Sequence, residues 1–256
     1  MIELTKKDLH LLSQLDLPKD NVNIRSYLQG IIDGFAWINE KTNPTTGILV
    51  IADFCILIGD IDTNAKSEII EILSKNCKGK LIVSNNSIWY KFIENNFHGT
   101  FKKYKRYSMK REPKVFDKSR LNEYIMAVQH EFLPIRINKE VYYKALEQYW
   151  TADFCSNFLS LNHYLKYGVG YVVMEDGEII SGASSYSYCE GAIDITIETK
   201  PEYKRKGLAL ACASKVILEC IERGIYPQWD ASNLLSVLLA QKLGYNVDKE
   251  YWVYFI

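Results

Sequence analysis

Ile193-Asp194-Ile195-Thr196-Ile197-Glu198-Thr199-Lys200-Pro201-Glu202-Tyr203-Lys204-Arg205-Lys206-Gly207-Leu208-Ala209 is the stretch around which the 256-residue chain is organised. It opens with strict alternation. Ile193, Ile195 and Ile197 fall on one side, and Asp194, Thr196 and Glu198 on the other. That is the period of a β-strand with one buried and one polar face. Pro201 ends the strand, because it has no N–H to give to a ladder. A basic loop, Lys204-Arg205-Lys206, leads to Gly207. From Leu208 to Arg223 the polar positions recur at helical spacing, and Gly224 suits a left-handed cap. A strand, a short basic loop and a helix start therefore follow one another. The first turn of a helix offers unpaired N–H groups and the positive end of the peptide dipole. Gly207 removes a side chain where an anion would approach, and three cations precede it. This is the chemistry of a phosphate or diphosphate site, although a plain β–α turn with solvated lysines has the same composition.

The spacing of two blocks decides between those readings. Lys204-x-x-Gly207-x-Ala209 resembles the acyl-CoA loop of the GNAT superfamily of N-acetyltransferases. Asn233-x-x-Ser236 and Leu243-Gly244-Tyr245 resemble the second half of that family's core, where an Asn opens the last helix and a Gly-aromatic pair closes it. The chain is further similar to the zwittermicin A resistance-type branch of the family. That likeness rests on residues 27–37, 153–158, 181–186 and 226–230.

The resemblance implies an α/β fold of the α+β kind, with a mixed, mainly antiparallel sheet. A GNAT core spans residues 114–256, and a smaller α/β domain over 1–113 precedes it, read as a degenerate GNAT-like half or as unrelated β–α–β units. It implies acetyl-CoA as co-substrate, with Ile197 and Thr199 pairing with the pantetheine arm. Lys204, Arg205, Lys206, Gly207, Leu208 and Ala209 would receive the diphosphate, and Asn233 would touch the arm. Glu198 or Asp194 would act as base on an ammonium substrate. The family's usual acid, a Tyr seven residues after the helix-opening Asn, is Ala240 here, so either Ser236, Tyr245 or water donates in its place, or turnover is slow. Trp150, Phe154, Tyr186 and Trp229 are candidate cleft residues, with core packing as the alternative. The implied function is acetyl transfer to a primary amine of a small molecule by direct attack in a ternary complex. The alternative is a catalytically weak acyl-CoA-binding module with an N-terminal interaction domain.

The composition fits a protein of this kind. Lys plus Arg equals Asp plus Glu at 31 each, so no global field draws the chain to nucleic acid or an anionic membrane. No run is apolar enough for a signal peptide or a membrane span, and a cytoplasmic protein is expected. The six cysteines form no CxxC pair and read as reduced thiols, and the four histidines suggest no metal site. The assembly stays open, a homodimer included. Residues 1–46 read as helical from the stripe Ile24, Tyr27, Leu28, Ile31, Ile32 and Phe35. Residues 48–58 read as one strand and 110–114 as the linker. The Lys102–Arg106 stripe reads as a lysine-guarded edge strand rather than a nucleic-acid surface.

Overall fold

The computed structural model describes residues 1–256, in two compact units. One comprises Met1–Arg106 with Tyr251–Ile256, the other Tyr107–Glu250. The chain thus changes unit inside a strand, at 106/107 rather than at the expected linker, and its last six residues return to the first unit.

In the first unit, β1 (Ile2–Glu3), α1 (Val22–Leu28) and β2 (Gly34–Ile38) come first. The reading of residues 1–46 as helical is therefore wrong over most of its length: only Leu9–Gln14, as 3₁₀ helix, and α1 are helical, and strands stand at both ends. The helix stops at Leu28, and Phe35 stands on a strand, because Gly30 and Gly34 break the 3.6-residue period between them. The expected single strand over 48–58 is a hairpin, β3 (Thr46–Ile51) and β4 (Phe54–Gly59). Its turn has no glycine to announce it; Ala52 adopts φ 49° instead. Then come α2 (Lys66–Asn76), β5 (Leu81–Ser84), α3 (Ser87–Asn96) and β6 (Lys102–Met109). β2, β3 and β4 are antiparallel, and β5 joins β4 in parallel. Trp37, Ile48, Leu57, Ile69, Leu73, Ile82 and Trp89 form the core. Cys55 on β4 and Cys77 at the end of α2 are joined in a disulfide, with Cα atoms 5.7 Å apart. This overturns the reading of all six cysteines as reduced. The two are 22 residues apart, and only the fold brings them together.

The basic stripe on β6 is an edge from Lys102 to Arg106, as expected, because the short strand on its outer side pairs only with Tyr107 and Ser108. Its inner side lies beside the last strand of the chain. The Lys103 ammonium sits 4.7 Å from the Trp252 ring centre and 5.1 Å from that of Tyr254, and pairs with Glu94 at 2.9 Å. Its cations and rings are spent on one another.

The second unit opens with α4 (Lys118–Met126), whose N-terminus Asp117 caps. β7 (Ile135–Arg136), α5 (Lys139–Glu147), α6 (Tyr149–Ala152) and α7 (Leu161–Tyr167) follow. Asn138 caps α5, and the segment containing Pro134 yields only a short edge strand. β8 (Gly170–Glu175) and β9 (Glu178–Cys189) form a hairpin, turned by Asp176 and Gly177 with φ 50° and 78°. Then come β10 (Ala192–Thr199), α8 (Leu208–Arg223), β11 (Tyr226–Gln228), β12 (Asp230–Ala231), α9 (Leu234–Leu243) and β13 (Val247–Phe255).

The five-stranded sheet has the order β11-β10-β9-β8-β7, and only β10–β11 is parallel. α8 packs along β8 to β11, and α4 along α8. The opposite face is covered by Tyr142, Phe154, Phe158 and Tyr164, which pack with Val172 and Ile179. Glycines on that face make room for rings. A Cβ at Gly182 would meet the Phe154 ring at 2.6 Å, and one at Gly170 the Tyr164 hydroxyl at 2.3 Å.

Candidate acyl-CoA site

β10 has two unlike edges. One is laddered to β9 as far as Thr199↔Ser181. The other pairs with β11 only over Ala192↔Tyr226, Ile193↔Pro227 and Asp194↔Gln228. At Trp229 the chain leaves the sheet, and β12 pairs with Tyr107 and Ser108 of β6 instead. The run from Tyr226 to Ala231 is therefore broken at Trp229 into two strands. From Ile195 to Thr199 the second edge of β10 faces no strand, so its outward N–H and C=O groups stand open. A bulge on β9 at Tyr186 lies at the same level, between Asp194 and Ile195. Bulges sharpen twist and re-aim side chains. The faces differ from the simple alternation as well: Ile193 is buried, but Ile195 and Ile197 are only half-buried.

The open edge leads into the basic loop. Pro201–Tyr203 forms one 3₁₀ turn. Arg205 and Gly207 are left-handed, at φ 63° and 83°. A Cβ at Gly207 would touch only Val128 Cγ1, at 3.7 Å. The left-handed angle is one that favours glycine, and no protein backbone crowds the position. It is also the residue before the helix, so no side chain caps α8. The first helical bond is Ala211 N–H to Gly207 C=O, 3.0 Å. The amides of Leu208 and Ala209 are left pointing out of the mouth of α8. Lys204, Arg205 and Lys206 are exposed around it, the last with its ammonium 4.5 Å from the Tyr203 ring centre. An uncapped helix mouth, free amides and three cations fit a diphosphate, and the open edge of β10 fits an amide-bearing arm.

The candidate catalytic groups are disposed as follows. Glu198 lies near the end of the open edge, with an exposed side chain that has no hydrogen bond or ion pair. The protein around its carboxyl raises its pKa by taking hydration away; Lys204 opposes the rise, and the charge of Asp153 adds to it. The Thr199 hydroxyl is shared with Ser181, at 2.7 Å, so any contact Thr199 makes to a cofactor is through its backbone. Asp194 is half-buried, where β11 still pairs with β10. Asn233 caps α9: its Oδ1 accepts the Ser236 N–H at 3.0 Å. The Ser236 Oγ accepts the Trp229 indole N–H at 3.1 Å. Tyr245 does not fit the role of acid. It is buried, its hydroxyl donates to Pro227 C=O at 2.7 Å, and burial holds its pKa well above the usual phenol range. Ala240 is fully buried. Of the four aromatic cleft candidates, Phe154, Tyr186 and Trp229 are buried in the core and only Trp150 is partly exposed.

The profile of the GNAT acetyltransferase family matches residues 14–254. The chain belongs to this family. It is 25% identical to an uncharacterized N-acetyltransferase of Bacillus subtilis, YdfB, over 99% of this chain and 97% of the relative. A GCN5-related N-acetyltransferase-like protein from Streptococcus suis has a similar structure, with a TM-score of 0.86 and 28% identity. The match covers 97% of this chain and 98% of that one. A tandem GNAT protein of the clavulanic acid biosynthesis pathway shares the fold, at TM-score 0.61 and 10% identity, over 99% and 96% of the two chains. The chain is therefore a GNAT-type acyltransferase with the α/β fold of that family, built on two-unit lines like the tandem proteins.

One residue at this site escaped the reading of the sequence as a candidate. Asp153, exposed at the end of α6, acts on Glu198 through its charge. A signal existed in Gly182, a glycine inside a strand, which marks close approach of another segment. The segment is the one that carries Phe154, and no spacing rule connects 154 to 182.

Proposed function

We propose that the protein moves an acetyl group from acetyl-CoA to a primary amine of a small molecule, with both bound at once, in the cytoplasm and without nucleic acid or membrane as partner. The observation that carries this reading is the open edge of β10 running into the uncapped mouth of α8. Bound there, acetyl-CoA supplies an activated acyl group as a thioester. The diphosphate would be held by the amides of Gly207, Leu208 and Ala209 and by Lys204, Arg205 and Lys206. The backbone of Ile197 and Thr199 would align the arm, and Asn233 would bound it.

An amine attacks only when neutral. Glu198, unpaired and with a raised pKa, takes the proton from the ammonium through a water molecule. The amine nitrogen then bonds to the acyl carbon as the carbon–sulfur bond breaks and the electron pair leaves on sulfur. A thiol of ordinary pKa, about 8.5, recovers its proton from water near neutral pH. A strong acid at position 240 is therefore not needed. Ser236, whose Oγ lone pair already takes the Trp229 N–H, keeps its own proton to donate a hydrogen bond to the sulfur. Asp194, on the paired part of β10, is the weaker base candidate.

We take the first unit as a reduced copy of the second that holds no cofactor. The test is release of CoA from acetyl-CoA in a screen of antibiotics, polyamines and amino acids. Glu198→Gln should lower kcat at least a hundredfold while CoA binding persists. Tight CoA binding with no acceptor turned over by the wild type would instead favour a binding module.

A further inference from the structure

The segment after α6 holds β9 at three points. The Phe154 ring lies on Gly182, where a Cβ would meet it at 2.6 Å. The Phe154 C=O accepts the Ser184 hydroxyl at 2.7 Å. Gly182 and Ser184 are alternate residues and share a face of the strand. The third hold reaches further along β9: the Asn157 Nδ2 donates to the Tyr186 C=O at 3.0 Å. Phe154 and Cys155 are fully buried, so the segment that carries Asn157 is anchored in the core.

That third hold falls on the bulge. Asp194 pairs with Ser187 and Ile195 with Ser185, so Tyr186 has no partner on β10. A bulged residue stands outside the local ladder, and a carbonyl in a buried stretch still needs a donor. Tyr186 is buried, and the amide of the half-buried Asn157 supplies one. The step between Asp194 and Ile195 is also where β10 parts from β11, whose last pair is Asp194↔Gln228. Both edges of β10 thus change at one level, with an extra residue on one side and the opening on the other.

We infer that Asn157 is a positioning residue for the acyl carrier. By holding the Tyr186 carbonyl it fixes the bulge, and the bulge sets how β10 presents its open N–H and C=O groups, from Ile195 to Thr199, to the pantetheine arm. This rests on the acyl-CoA reading of that edge above and adds a residue that acts through the backbone of β9.

The test uses the full chain and two probes, CoA and 3′-phospho-ADP, which carries the diphosphate but no arm. Asn157→Asp keeps the shape and sets an oxygen that repels the Tyr186 carbonyl where the donor was. By calorimetry its affinity for CoA should fall about tenfold, and that for 3′-phospho-ADP should stay within about twofold of wild type, because the mouth of α8 is untouched. In the free protein the amide NMR signals of residues 195–199 should move, and those of residues 207–209 should not. Should Asn157→Asp fail to fold, Asn157→Ala removes the donor and is read the same way. Equal weakening of both probes would mark a merely structural residue, and unchanged CoA affinity or unmoved amides would show that Asn157 does not set the edge; each overturns the inference. Moved amides in a protein whose wild type binds CoA no more tightly than 3′-phospho-ADP would instead overturn the reading of that edge as the carrier's slot, with Asn157 still fixing the bulge.

Discussion

The two units repeat one order of elements and differ where that order meets a cofactor. In each, three antiparallel strands lead to a helix, a strand parallel to the third, and another helix: β2-β3-β4-α2-β5-α3 and β8-β9-β10-α8-β11-α9. In the first unit the cleft between the parallel strands is shut. β4 pairs with β5 from Phe54↔Leu81 to Leu57↔Ser84. Beyond that, side chains close it. Ser84 Oγ donates to Leu57 C=O at 2.7 Å, and Trp89 Nε1 to Gly59 C=O at 2.9 Å; Asn86 Nδ2 reaches the same carbonyl at 3.2 Å. The approach to α2 is acidic, and Asp62 Oδ1 accepts the Asn64 N–H at 2.9 Å. In the second unit the strands part after three residue pairs, and the approach to α8 is basic; neither helix start carries a side-chain cap. One layout thus either shuts the cleft between its parallel strands or leaves it open, according to a few side chains.

The sharpest way to break this contrast is to give the second helix the first one's chemistry. Gly207→Asp would place a carboxylate at the mouth of α8, in a conformation Asp tolerates better than most residues. CoA affinity should fall by two to three orders of magnitude, about 3–4 kcal/mol. Calorimetry on the wild type should give one CoA per chain. Two CoA molecules per chain would mean that the first unit's side chains do not seal it.

A second difference is covalent. The first unit carries the Cys55–Cys77 disulfide, whereas Cys155, Cys189, Cys212 and Cys220 are buried free thiols. Burial pushes the Cys212 thiol up to about 12, so these thiols are unreactive at neutral pH. Unfolded without reductant, the protein should show four thiols, and six with it. Reduction should cost about 3 kcal/mol in stability, from the loop entropy the bridge removes. Six thiols without reductant would show that the bridge does not form. A smaller effect belongs to the loop: Lys204→Gln should weaken CoA binding about fivefold at low salt and less as salt screens the loop.

The sequence carried the second unit further than the first, and the reason is local. Asp176-Gly177, Asn138, Gly207, Gly224 and Asn233 each act within a few residues of themselves, as cap or turn, and the structure uses each one so. The turn at Ala52-Asp53 has no glycine, and the apolar residues on both sides of it hid the break. The break at Trp229 was hidden because it depends on a competing partner strand, β6, more than a hundred residues away in sequence. The same holds for Cys55 with Cys77 and for Asp153 with Glu198. Periodicity tells which face is apolar. It does not tell which segment will cover that face.

The finest test compares two carboxylates whose environments differ in sign. Glu198 has a raised pKa, so its neutral form is the one the fold favours. The stability this gives is full below the ordinary glutamate pKa and is lost as pH rises through the raised value, so the ionised group is a small load at neutral pH. Glu198→Gln should therefore melt about a degree higher than wild type at neutral pH, a small gain because the side chain is exposed, and at the same temperature below about pH 4. Asp62 in the first unit is the opposite case. Hydrogen bonds from the Asn39 side chain and the Asn64 amide hold its pKa down, so its contribution is present at neutral pH and is lost as pH falls through the lowered value. Asp62→Asn should melt lower than wild type at neutral pH and converge with it in acid. If Glu198→Gln melts lower at neutral pH, Glu198 is a structural partner, and the slot in the second unit is sealed after all. If it melts higher while acetyl transfer collapses, the residue is held at a cost to stability for what it does to the amine.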